Sequence, residues 1–496
     1  MRRPPRSLVL ITVDCLRAGH VGYAGYPVNT TPFLDSLATE SFVFRNAVAS
    51  GVPTYYSLPA LLCSRYPLAL GRDLVGIAPN ENTIASELKD RGFGTAAFVA
   101  ANPYVSPAFG YERGFDFFRD FLHGQTNAIL DESVAEEGQS SLRRSANRLL
   151  SKTCHGLPLL GEAYDELYFR YCQTLNSGRE SFDALRRFPS AEVIVDCAIE
   201  WLNQNSNTPF FLWLHLMDPH APYYPTSEAL RQMGHDLSAA DAKYLNSYWQ
   251  RTDLGPERLR TKRPDVIALY DAGIHCVDVQ IRRLTQELRR LNVWDECAFA
   301  VTADHGEEFL EHGRRFHAPV ALPEELVNVP LLLRVPGFSA RCDVEYPFGL
   351  VDLAPTLFDV LELPTPGSFR GKSCWRGLTG GQGCGWPVFT ECAYACTNPI
   401  DTSRRYAHRL LAVRRGQYKL VVNFASGAEE FFDLASDPGE LEPLTAHGAG
   451  GLEYELLALA QRHIAESYKT RDADLRLGIQ MRDFRLSVQQ VTGRAN

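Results

Sequence analysis

Five short apolar runs, each followed by an amphipathic or polar segment, constrain this chain more than any other feature: LVLITV (8–13), TAAFVA (95–100), FFLWLHL (210–216), AFAVTA (298–303) and PLLLRV (330–335). Runs of this length and composition read as buried strands, and the amphipathic stretches between them read as helices. TPFLDSLATES and TIASELKDRG are candidate helices, the second closed by Gly92 as a C-cap. VIALYDAGIHCVDVQIRRLTQELRRL is long and periodic and leads straight into the 298–303 run. The expected fold is α/β, a doubly wound and mostly parallel sheet.

That rhythm breaks at 122–190, polar and helix-prone, and at 224–262, so both stretches read as insertions that either decorate the surface or wall a substrate site. After about residue 375 the pattern changes to LLAVRRGQYKLVVN and EEFFDLASDPGE, punctuated by Gly416 and Gly427. The expected division is a main α/β domain over 1–375 and a smaller C-terminal α+β subdomain over 376–496, with an antiparallel sheet and a terminal helix near 452–467.

Composition excludes some classes. A formal charge of -9 with no basic stripe argues against nucleic acid as a partner. The opening MRRPPRSLVLITVDC imitates an export signal, but its apolar run is short, ends in Asp14 and lacks a small-residue cleavage site, so a first strand is the better reading. No stretch approaches the ~20 apolar residues that cross a bilayer. The expectation is a soluble, cytoplasmic protein; the 12 cysteines show no zinc spacing, and the absence of an export signal favours free thiols. Nothing in the sequence reports an oligomeric state.

Charge gathers where the runs end. Asp14 follows the first run, and Asp304 and His305 follow the fourth, in TADHGEEFLEHG. In a parallel sheet these ends share one edge, so residues far apart in sequence can converge on one divalent cation. Taken alone, a strand-terminal Asp is more often a cap. Glu307, Glu308 and Glu311 read as a solvated first helical turn. In PTYYSLPALLCSRYP, Thr54 and Ser57 precede an apolar helical run; either could cap that helix or sit where free N–H groups favour an anion. In FFLWLHLMDPHAPYYP, His220 is the first candidate to meet an oxyanion or protonate a leaving oxygen, whereas Asp218 could be a turn former and His215 a core histidine.

These pieces, together with VLITVDCLRAGHVGYAGYPVNTTPFLDSLATES, ELVNVPLLLRVPG and VDLAPTLFDVLELP, stand in the order found in sulfatases, and the chain resembles the sulfatase family of the alkaline phosphatase superfamily across nearly its whole length outside the insertions. The resemblance implies metal ligation by Asp14, Asp304 and His305, contact of His220 with the substrate anion, and a place for His312 and His317 near the anion or leaving group.

The departures alter the chemistry it implies. Where sulfatases carry Cys-x-Pro-Ser-Arg, whose Cys or Ser matures to formylglycine, this chain has Thr54-Tyr55-Tyr56-Ser57-Leu58. Cys15 replaces the second acid of the family's Asp-Asp pair, and a family Lys is replaced near Asn102. A Thr beside a metal resembles instead the phosphodiesterase, phosphonate-hydrolase and phosphoglycerol-transferase branches.

The expected activity is therefore metal-dependent hydrolysis of a small anionic phosphoester or phosphonate ester. One divalent cation (Mn, Zn, Mg or Ca) would be held by Asp14, Asp304 and His305 and would also bind the nucleophile Thr54. His220 and His317 would serve catalysis, with Asn102, His215 and His312 near the substrate. A sulfatase without formylglycine, a phospho-group transferase and an inactive anion-binding relative are the alternatives.

Overall fold

The structure is a computed structural model that describes residues 4–71, 74–122, 181–380, 384–444 and 451–469. Most of the first expected insertion, residues 123–180, therefore lies outside the described residues.

Its frame is a nine-stranded sheet. In chain order the strands are β1 (Ser7–Val13), β2 (Phe42–Val48), β3 (Gly94–Val99), β4 (Phe117–Arg119), β5 (Phe210–Leu216) and β6 (Cys297–Ala303). A separate two-stranded hairpin follows, β7 (Glu308–Phe309) with β8 (Arg315–Phe316), and the large sheet resumes with β9 (Asn328–Arg334), β10 (Cys342–Val344) and β11 (Phe348–Gly349). The spatial order is β10-β2-β9-β6-β1-β5-β3-β4, with β11 also paired to β2. β9 pairs antiparallel with both β2 and β6, and the other pairings are parallel. Every residue of β1, β5 and β6 is buried, as expected of central strands covered on both faces.

The helices that cover them include α1 (Pro32–Ala38) and α2 (Thr54–Cys63), together with the long helices Ala191–Asn205 and Arg263–Arg290, which pack on each other. The expected insertion at 224–262 is three short helices packed on Arg263–Arg290, and its Leu245, Trp249 and Leu259 are buried, so it belongs to the core rather than to a loose surface loop.

Strands β12 (Val388–Ala393), β13 (Arg409–Arg415), β14 (Tyr418–Asn423) and β15 (Ala428–Asp433) form a C-terminal antiparallel sheet, and the helix Leu452–Lys469 packs on it. Buried charge in this sheet also ties it to the segment after α2. Glu391 on β12 accepts from Arg409 Nη1 at 3.2 Å and from the Leu68 backbone N–H at 2.9 Å, and lies 3.5 Å from His463. Tyr55 in α2 donates to the carbonyl of Cys396, just after β12.

Candidate functional site

The register of the central strands assembles the site. Thr12 stands beside His215 on β5 and Thr302 on β6, so the residues after the strands emerge together at the carboxyl edge. Two non-glycine residues there take left-handed backbone, Cys15 (φ 62) after β1 and Ala101 (φ 50) after β3. Such strain persists where the surroundings hold a particular presentation of side chains. Here it turns Cys15 and Asn102 inward.

Asp14 and Asp304, both fully buried, face His305, whose Nε2 lies 3.7 Å from Asp14 Oδ1 and 3.6 Å from Asp304 Oδ2. The His305 Nδ1–H donates to the Gly306 carbonyl at 2.9 Å, which aims Nε2 at the carboxylates. Thr54 is the first residue of α2; the N-cap is Pro53, so neither Thr54 nor Ser57 caps the helix. Thr54 Oγ1 donates to Asp14 Oδ2 at 3.3 Å and lies 3.1 Å from His305 Nε2. The Ser57 hydroxyl donates to the Asp304 carbonyl at 2.5 Å and pins α2 to β6.

The electrostatics suit a cation. Burial raises Asp14, but His220, His215 and His305 outweigh it and hold the carboxyl well below its usual range. Burial and the adjacent Asp14 charge push Asp304 up. Asp304 Oδ2 is buried without a hydrogen-bond partner. Two buried carboxylates, an imidazole and an unsatisfied oxygen fit a divalent ion of oxygen-nitrogen preference. Asp14, Cys15, His215, Asp304 and His305 all fall in clusters with metal-ligand spacing.

The expected substrate residues divide. Thr54, Asn102, His220 and His317 line one cavity of about 400 Å³, whose remaining wall is largely apolar and aromatic, including Tyr104, Phe188, Met217 and Phe316. Asn102 Nδ2 donates to Asp14 Oδ2 at 3.1 Å, so one of its N–H groups is already used. The His220 Nδ1–H donates to the Ala221 carbonyl at 2.6 Å; burial lowers its pKa despite Asp14. Burial would lower His317 too, but Glu307 Oε1 at 3.2 Å outweighs it, with Asp14 and Asp304, and raises His317 to about 9.

His215 does not line the cavity. It is fully buried behind Asp14, with Nδ1 2.9 Å from Thr12 Oγ1 and Nε2 3.3 Å from Asp14 Oδ2, and so orients that carboxylate rather than meeting substrate. His312 is also elsewhere: the chain turns at Gly313 (φ 72), leaving His312 3.4 Å from Glu325 and bringing His317, beyond β8, to the cluster. Asp218 is no simple turn former, since it accepts from Arg186 Nη1 at 3.0 Å and the Ala191 backbone N–H at 2.9 Å.

The acidic run after His305 is the largest correction. It forms a short hairpin strand instead of a helical turn, and Glu307 and Glu308 are buried. Each acid has a partner: Tyr223 and His317 for Glu307, Arg314 for Glu308, Arg17 for Glu311. Glu307 is thus the site residue that sequence reading passed over, because the residues that face it, Tyr223 and His317, meet it only in the fold.

The sulfatase family profile matches residues 6–363, and that of the N-sulphoglucosamine sulphohydrolase C-terminal region matches 312–451. The chain belongs to the sulfatase family. It is 27% identical over 279 residues to arylsulfatase K of Mus musculus, covering 50% of this chain and 48% of that protein, so it spans about half the length of that relative. It is 24% identical over 542 residues to the multifunctional alkaline phosphatase superfamily protein PehA of Trinickia caryophylli, covering 99% of each. The phosphonate monoester hydrolase of Agrobacterium radiobacter shares the fold, with TM-score 0.63 and 19% identity over 94% of this chain and 96% of that one.

Among the described residues no helix is long and apolar enough to cross a membrane. The ten described cysteines are all unpaired.

Proposed function

We propose that the protein hydrolyses a small anionic phosphoester or phosphonate ester, with Thr54 as nucleophile. The observation that carries this reading is the place of Thr54, which lines the cavity and holds its Oγ1 within 3.3 Å of both Asp14 and His305. Asp14, Asp304 and His305 would hold the divalent cation that the family implies; when bound, it lowers the pKa of an adjacent hydroxyl and offsets charge on the ester oxygens.

The residues of the chain divide the remaining work. Thr54 Oγ1 gives up its proton to solvent and attacks phosphorus as the bond to the leaving oxygen breaks. His317, kept protonated by Glu307, gives its proton to that leaving oxygen. His220, neutral and with Nδ1 tied to Ala221, presents Nε2 as the base that deprotonates the water releasing the Thr54 adduct. Two imidazoles whose environments push their pKa values apart are suited to acid and base roles. Asn102 offers its second N–H to a non-bridging oxygen, and the aromatic wall accepts an apolar leaving group.

Sulfate-ester hydrolysis is the second reading, favoured by the likeness to arylsulfatase K. The test is turnover of matched aryl phosphate monoester, phosphodiester, phosphonate monoester and sulfate by metal-stripped protein resupplied with Mn, Zn, Mg or Ca. Metal-dependent phosphoester or phosphonate cleavage that Thr54→Ala lowers at least ~100-fold is expected. Cleavage of sulfate alone, or full activity in Thr54→Ala, overturns the proposal.

A further inference from the structure

Cys15 stands where a carboxylate of the cation site is expected, and its thiol is not isolated in apolar core. Its Sγ lies 3.2 Å from Asp14 Oδ1 and 3.4 Å from His317 Nδ1. The His220 ring is close by, its centroid 5.1 Å from that of His317. Donor atoms of Cys15, His220 and His317 all lie within 4.8 Å of one another. We propose that these three side chains form a second cation site, of thiolate-imidazole type and selective for zinc or a similarly thiophilic divalent ion, beside the site of Asp14, Asp304 and His305.

The geometry is near that of a bound ion. Tetrahedral zinc with S and N ligands at about 2.3 and 2.0–2.1 Å sets them about 3.6 Å apart, close to the observed 3.4 Å. His220 is prepared as a ligand because its Nδ1–H donates to the Ala221 carbonyl, leaving the Nε2 lone pair free. Without a cation, burial and the facing Glu307, Asp14 and Asp304 keep the Cys15 thiol protonated.

Binding replaces the proton on Cys15 Sγ, and that on His317 Nδ1, with a bond to the ion, and both protons leave to solvent. The donor set also separates the two sites, since sulfur and imidazole select zinc while carboxylates accept magnesium or manganese. An occupied second site diverts His220 and His317 from the acid-base roles proposed above. The inference concerns the same cluster as that reading, but does not depend on turnover.

The test is a titration of metal-stripped full-length protein with cobalt(II) alone, in excess magnesium to fill the carboxylate site, following the near-ultraviolet thiolate-to-cobalt charge-transfer band. One cobalt per chain should saturate the band, zinc should bleach it, Cys15→Ser should abolish it, and Cys342→Ser, at a half-buried thiol on β10, should leave it intact. Should Cys15→Ser not fold, His220→Gln and His317→Gln serve instead, each expected to weaken cobalt binding roughly tenfold or more. No band in the wild type, or a band unchanged in Cys15→Ser or in both histidine variants, overturns the proposal. Turnover measured on the same samples separates this failure from failure of the hydrolytic reading.

Discussion

Replacing Glu307 by Gln tests how the site makes a proton donor. Burial disfavours the His317 imidazolium, yet the group sits at about 9 because the Glu307 carboxylate faces its Nδ1 at 3.2 Å. The rise from the ordinary 6.5 to about 9 corresponds to roughly 3.4 kcal/mol in favour of the charged form. His317 is one-fifth exposed and Glu307 fully buried, so solvent screens little of this. Gln keeps the shape and removes the charge, which should carry His317 to 6.5 or below. At pH 7.5 its protonated fraction then falls from about 97% to about 9% or less.

The assay is the pH dependence of kcat/KM on aryl esters with good and poor leaving groups. In the wild type, activity on the poor leaving group should fall as pH rises through about 9. In Glu307→Gln that limb should move to 6.5 or lower, and the rate at pH 7.5 should drop about tenfold or more. A 4-nitrophenyl ester, whose leaving group needs no proton, should change little. An alkaline limb that stays near 9 in the variant, or an equal loss on both esters, would refute the assignment of His317 as a Glu307-held acid.

Three further outcomes follow from the same structure. In metal-free protein, Asp304→Asn should raise stability by roughly 1–2 kcal/mol, below the about 4 kcal/mol that two like charges 4 Å apart exert near a protein surface; adding the cation should reverse the order, both read by thermal melts. Glu391 is held at about 2 by His463 and Arg409 against burial. Its folded-state pKa is depressed, so its contribution of about 3 kcal/mol is complete above pH 4.5 and is lost as pH falls toward 2; denaturant melts of Glu391→Gln and wild type should converge by that amount on acidification. His312→Ala should change kcat/KM less than about threefold, because His312 meets Glu325 rather than the cavity.

The strands that lead to Asp14 and Asp304 were legible because they are buried on both faces and read as unbroken apolar runs. β2 was not, for a local reason: Arg45 and Asn46 interrupt FVFRNAV, and the register with β9 shifts between Phe44 and Ala47. There the two polar side chains reach outward to Asp343 and the Glu345 carbonyl. The reversed direction of β9 leaves no trace in composition, since PLLLR reads alike either way. Asp14, Asp304 and His305 could be placed from strand ends alone. Glu307 could not, because its partners Tyr223 and His317 come from other segments, and a run of acids without visible partners reads as solvated. The same applies to Phe188, Tyr104 and Phe316, whose shared wall exists only once the chain has folded.

Tyr55 follows Thr54 directly and donates to the Cys396 carbonyl beyond β12. Thr54, the proposed nucleophile, and the edge strand of the small sheet are thus joined by one peptide unit and one hydrogen bond. Substitutions that repack the small sheet can reposition Thr54 Oγ1 while leaving Asp14, Asp304 and His305 untouched. Drift in that sheet offers such a chain a route to new esters, with its metal affinity inherited unchanged.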